Sequence, residues 1–180
     1  IPDKIDRSLS MREATVFVNE ETDTVTVSFK GTNFMNVQDV AADVALYDNK
    51  VLKLGVGALM PKVGVGLAAA EAVGQGELKE VRDLMRSVQS KYKGKKIIAT
   101  GHSLGGAKAL YAGKHFGVET VAFNPGPLNS KGKPCEQCTV VRTRHDPISL
   151  EARGYTDIEV EQKDGSMWTA HSNYPGRQKM

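Results

Sequence analysis

A G-x-S-x-G pentapeptide, Gly101-His102-Ser103-Leu104-Gly105, sits between two segments of different character. Before it, Lys96-Ile97-Ile98-Ala99-Thr100 has the pattern of a short buried strand. After it, residues 107–115 are mostly small or apolar and read as a helix. A chain with 18 glycines in 180 residues holds about 0.1 such pentapeptides by chance, so the match alone is weak and its context gives it weight. A strand that turns into a helix this sharply leaves almost no room for side chains two positions before and after the turning residue. Glycine at 101 and 105 meets that demand. The turn would lift the Ser103 hydroxyl above the end of a sheet. It would also aim the first amide N–H groups of the helix at a developing oxyanion.

The remaining pattern supplies the sheet that such a turn needs. Val25, Val27 and Phe29 alternate with Thr24, Thr26 and Ser28, and residues 14–18 form a second strand across the polar turn 19–23, so a hairpin is expected. Residues 36–46 have helical composition. Leu78, Val81, Leu84, Met85, Val88 and Tyr92 line one face of a helix over 77–93, with Gly94 as its stop. Strands are expected at 118–123, 139–143 and 155–162. Residues 51–76 differ from everything else: six glycines fall among Val, Leu and Met, with charge only at Lys53, Lys62 and Glu71. Glycine argues there against a rigid helix, and the expectation is an apolar flap or lid over 48–76. The alternative is a buried connector packed on the sheet. The whole reads as one α/β domain spanning 1–180, a mixed and mostly parallel sheet with helices on both faces.

Composition narrows the function. The net charge is only +3, and the Lys pairs show no aromatic interleaving, so no nucleic-acid partner is expected. Cys135 and Cys138 form a lone C-x-x-C with no second pair, which leaves a loop disulfide or two thiols rather than a zinc site; no metal and no cofactor are expected. No leader pattern and no run of ~18 apolar residues is present. The expectation is a soluble chain, secreted or cut from something longer, since it begins at Ile1.

A serine hydroxyl needs a base within hydrogen-bond reach. In this architecture the order along the chain is serine, then acid, then histidine. Of four histidines, His102 lies inside the turn, His115 ends the following helix, and His145 has only Glu119 and Glu136 upstream as acids after the serine. His171 is the remaining candidate base. For the acid, Asp146 follows the strand 139–143 and precedes Pro147, at the carboxyl end of a strand. Asp157 and Asp164 are the alternatives, on an expected edge strand and in a Lys-Asp-Gly turn. The oxyanion donors would be the backbone N–H of Leu104 and one from the loop at Gly31-Thr32.

Five segments occur in one order: Ser-Phe-Lys-Gly-Thr (28–32), Gly-His-Ser-Leu-Gly-Gly (101–106), Val-Ala-Phe-Asn-Pro-Gly-Pro (121–127), Arg-His-Asp-Pro-Ile (144–148) and a late His171. Together they resemble the class 3, fungal-type lipases of the α/β-hydrolase superfamily over roughly residues 14–172. The resemblance implies Ser103 as nucleophile, Asp146 as acid and His171 as base. It implies an oxyanion hole from Thr32 and Leu104, with Lys30 where the family carries arginine. The chain departs from the family in being shorter and in having the glycine-rich stretch 48–76 where a helical lid is usual.

The implied activity is hydrolysis of lipid acyl esters, as a lipase or phospholipase, phospholipase A1 included. The partner is then a lipid ester at a membrane or micelle surface, with 51–76 available for peripheral contact. Two other readings compete: a catalytically silent lipase-like module that binds lipid or a protein, and a hydrolase of small esters or thioesters without interfacial action.

Overall fold

The structure is a computed structural model that describes residues 3–31, 67–126, 135–144, 146, 149 and 156–161; of residues 67–75 it describes the backbone only. The expected helix at 36–46, most of the flap, Thr32, Asp164 and His171 lie outside the described residues.

Among the described residues, seven strands form one sheet whose spatial order follows the chain. They are β1 (Lys4–Ile5), β2 (Ala14–Asn19), β3 (Thr24–Phe29), β4 (Lys96–His102), β5 (Glu119–Phe123), β6 (Cys138–Thr143) and β7 (Thr156–Val160). The helices are α1 (Leu67–Lys91), between β3 and β4, and α2 (Leu104–Phe116), between β4 and β5. The first two pairings are antiparallel and the other four parallel. The β2–β3 hairpin turns as its sequence dictates. Asn19 Oδ1 accepts from the amides of Glu21 and Thr22, and Asp23 takes a left-handed φ of 53°.

Register fixes which side chains share a face. Val25, Val27 and Phe29 lie opposite Ile97, Ala99 and Gly101, and Ala99 and Gly101 lie opposite Thr120 and Ala122. Val16, Val25, Val27 and Ala99 are fully buried there against Val81, Leu84, Met85 and Val88 of α1 and Ala109 and Ala112 of α2. Leu110 extends the packing to Ala122, Cys138 and Val140. Both described helices thus cover the same face. Successive crossovers of one hand that always step the same way along a sheet put their helices on one side. A helical layer over the other face would come from outside the described residues.

One expectation is corrected. Helix α1 begins at Leu67, not near residue 77, so residues 67–76 of the expected 48–76 flap are helical. The run Leu67-Ala-Ala-Ala-Glu-Ala-Val is rich in the strongest helix formers, and it outweighs the cost of about 1 kcal/mol each for Gly74 and Gly76. Cys135 and Cys138 form a disulfide at the start of β6, which settles between the two alternatives left by the sequence. The short β1, whose exposed residues carry no period, was not anticipated. No helix among the described residues is long and apolar enough to cross a membrane.

The segment after β1 is clasped to the end of α1. Asp6 accepts from Tyr92 Oη at 2.6 Å and from Lys91 Nζ at 2.7 Å, and Ser8 donates to its other oxygen. Lys91 first, then Tyr92 and Ser8, hold the Asp6 carboxyl well below the usual carboxylate range. Burial, reinforced by Asp6, pushes the Tyr92 phenol up to about 12. A depressed carboxylate contributes stability above its unfolded value of about 4, and that contribution fades as pH falls toward the folded value.

Two stability outcomes follow. Met85→Ala, at a fully buried position, should cost about 2–5 kcal/mol in urea unfolding. Asp6→Asn should lower the unfolding midpoint at pH 7, and its gap to wild type should narrow as pH drops below about 4. An unchanged gap across that range would contradict the clasp.

Candidate active site

Strand β4 runs through Gly101 and His102, and α2 starts at Leu104, so Ser103 alone makes the turn. Its backbone is at φ 59°, ψ −123°, a conformation that L-residues avoid at a cost of about 1–3 kcal/mol. Three backbone contacts hold it. Ser103 N donates to Phe123 O at 3.1 Å, and Ser103 O accepts from Ala107 N at 3.0 Å and Gly126 N at 3.3 Å. The Ser103 side chain does not cap the helix. The residue is 3% exposed.

The flanking glycines are required by contact rather than by dihedral. A Cβ on Gly101 would sit 2.4 Å from the carbonyl carbon and oxygen of Gly105. One on Gly105 would sit 2.2 Å from the Phe29 carbonyl oxygen. The first turn of α2 therefore rides directly on the backbone of β3 and β4. Gly31, just past β3, is equally close: a Cβ there would lie 2.7 Å from His102 O and 3.7 Å from Ser103 Cβ. Gly31 thus packs beside the serine turn.

Leu104, the other expected oxyanion donor, is the first residue of α2, where helical amides have no partner inside the helix. Among the described residues, then, Ser103, Leu104 and the backbone leading to Thr32 meet at the carboxyl ends of β3 and β4.

Asp146 is fully buried beyond the end of β6, and its amide donates to Thr143 O at 3.1 Å. Asp157, one of the alternatives, lies exposed in β7 opposite Val140, well before the carboxyl end of β6. The sheet order places β5 between the serine's strand and the strand leading to Asp146.

Two features escaped the sequence reading. Asn124, at the end of β5, is completely buried with φ 40°. Lys108, on α2, is 1% exposed. Its ammonium contacts Glu77 of α1 and lies 3.9 Å from Glu13, whose carboxylate is also 3.9 Å from Lys30. Lys30 N donates to Glu13 O at 2.8 Å. One carboxylate therefore faces cations on α2 and just past the end of β3. Lys108 is the buried member of this cluster, and Lys30 is nearly half exposed.

A mixed, mostly parallel sheet with a serine turned sharply between strand and helix defines an α/β-hydrolase-like domain. The sequence profile of the family "Lipase (class 3)" matches residues 26–123, more than half of the chain, from β3 through the serine turn to the end of β5. The chain belongs to the class 3 lipase family. Asp146 and His171 lie beyond the matched residues.

Similar solved structures include the lipase from Rhizopus microsporus var. chinensis, at 19% identity over 85% of this chain and 57% of that one, TM-score 0.46. Lipase II from Rhizopus niveus is 18% identical over 94% of this chain and 69% of that one, TM-score 0.48. The Lip2 lipase from Yarrowia lipolytica is 17% identical over 89% of this chain and 67% of that one, TM-score 0.44. This chain spans between 57% and 69% of their lengths. No curated protein sequence matches it.

Gly105→Ala should lower stability by about 1–3 kcal/mol or more, because the Phe29 carbonyl cannot retreat without breaking the sheet. Urea unfolding measures the loss. A variant of wild-type stability would refute the close approach.

Proposed function

We propose that this chain hydrolyses the acyl esters of lipids through Ser103. The observation that carries the reading is the strained, buried serine at the head of α2, with Gly31 packed against it, in a chain of the class 3 lipase family. In this reading Asp146, His171 and Ser103 form the triad, and the amides of Leu104 and Thr32 form the oxyanion hole.

The chemistry runs in two halves. Ser103 Oγ attacks the acyl carbonyl while His171 takes its proton, and the carbonyl electron pair moves onto oxygen, where the two amides receive it. The tetrahedral intermediate collapses, and the alcohol leaves with the proton from His171. Water then adds to the acyl-serine with His171 again as base, and the fatty acid departs as Ser103 recovers its proton. Asp146 holds the imidazole in the correct tautomer and stabilises its cation. Apart from the ester and water, these steps draw on the chain's own side chains and amides.

Phospholipids are the preferred substrate class, with cleavage at the first acyl position as in a phospholipase A1. A sequence pI of 8.8 favours an anionic lipid surface. Residues 51–66, apolar apart from Lys53 and Lys62, would touch that surface.

Phospholipid vesicles, a triacylglycerol emulsion and a soluble short-chain ester, each given to wild type and Ser103→Ala, test the reading. Wild type should release fatty acid and lysolipid, identified by mass spectrometry, and Ser103→Ala should lose at least about 10³-fold in rate. Retention of the second acyl chain in the lysolipid would support first-position cleavage. No product from any substrate would favour the silent binding module. Hydrolysis of the soluble ester alone would favour a small-ester hydrolase.

A further inference from the structure

The serine and the carboxylate of the proposed triad arise from strands that do not touch. Ser103 ends β4, Asp146 follows β6, and β5 lies between them. Their separation is therefore set by whatever fixes the carboxyl ends of β4 and β6 to that of β5.

On the β4 side the link is backbone: Ser103 N donates to Phe123 O, the last residue of β5. On the β6 side a side chain takes part. Asn124 N donates to Val141 O at 2.8 Å, continuing the ladder for one residue. The Asn124 amide group then spans to Thr143. Its Oδ1 accepts from Thr143 N at 2.7 Å, and its Nδ2 donates to Thr143 Oγ1 at 3.2 Å. Thr143 in turn accepts the amide of Asp146 on its carbonyl.

Asn124 and Thr143 are both buried, at 0% and 2% exposure. In such surroundings the two side-chain bonds are shielded from competing water. Asn124 also bears a φ of 40°, which glycine would adopt at no cost. Glycine would leave Thr143 N and its hydroxyl without these partners, so the strained asparagine has a local reason that a turn alone does not supply.

We propose that Asn124 is a positioning residue that sets the Asp146 loop against Ser103 through Thr143. The inference rests on the triad reading above and adds a residue to it. In this role Asn124 works through Thr143 rather than on the reacting atoms. It acts by holding two strand ends at one distance, and a misplacement of about 1 Å in such a constellation can cost on the order of 10²-fold.

The test measures kcat and KM on p-nitrophenyl butyrate for wild type, Asn124→Gly, Thr143→Val, Thr143→Ser, the double variant Asn124→Gly/Thr143→Val and Ser103→Ala, with thermal unfolding of each. Asn124→Gly keeps the left-handed backbone and removes the bridge. It should lower kcat by about ten- to a hundredfold and leave KM within about twofold. Thr143→Val, which keeps the amide but loses the hydroxyl, should fall between wild type and Asn124→Gly, and Thr143→Ser should restore the rate. The double variant should lose little beyond Asn124→Gly alone, since both act on one bridge.

A stable Asn124→Gly with kcat within twofold of an active wild type would overturn the positioning role and leave the triad standing. If Asn124→Gly does not fold, the Thr143 pair decides. Equal kcat for Thr143→Val and Thr143→Ser would overturn the proposal. A wild type that hydrolyses no ester and does not react with a fluorophosphonate at Ser103 would remove the triad reading and this proposal together.

Discussion

The first turn of α2 lies on bare backbone. Gly105 meets the Phe29 carbonyl and Gly101 meets Gly105, so the helix approaches the sheet more closely than any side chain would permit. That contact fixes the angle between β4 and α2, and the angle forces Ser103 into its strained turn. It also brings the end of β3 beside the serine, where Gly31 packs on His102 O. The helix face just beyond can then settle into the core, with Ala107, Ala109 and Ala112 fully buried. Backbone contact at one point thus organises the serine turn, the end of β3 beside it and the packing of a helix.

The same closeness explains a costly feature further along α2. A helix pressed this near the sheet cannot let a side chain at position 108 reach solvent easily, and Lys108 stays inside. Its charge is met by Glu77 from α1 and Glu13 from the segment before β2. Such a cluster adds little net stability over an apolar filling, but it is intolerant of misassembly. It therefore favours one placement of α1, α2 and the chain before β2.

The serine turn was legible because its demands are local: glycine at two spacings, a strand before, a helix after. The hairpin and β4 to β6 were legible because period-two alternation and buried apolar runs lie within a few residues of one another. The start of α1 was misread because Gly74 and Gly76 argue against a helix one residue at a time, whereas helix formation sums over the whole stretch from Leu67. Lys108 reads as an ordinary surface lysine, since its partners Glu77 and Glu13 are remote in the chain. Asn124 reads as a turn residue in an Asn-Pro-Gly sequence, and only the register of β5 against β6 reveals its bond to Thr143. Thr32 and His171 stand on motif order and resemblance.

The pairing of β3 with β4 joins Thr24 to Lys96 and Phe29 to Gly101. The hairpin before it and the β4–α2–β5 unit after it are each local in sequence, whereas this ladder must close a long span of chain. Contacts of that separation form late and slowly in folding. The ladder is also what brings Gly31 to Ser103, so a chain in which only the local units have condensed holds its serine turn without Gly31 beside it. For a flexible segment the entropy of closure depends only weakly on length, with a doubling costing about 0.6 kcal/mol. A change in the number of residues between Gly31 and α1 would therefore carry a small closure cost and leave the register of the sheet that carries the serine as it is.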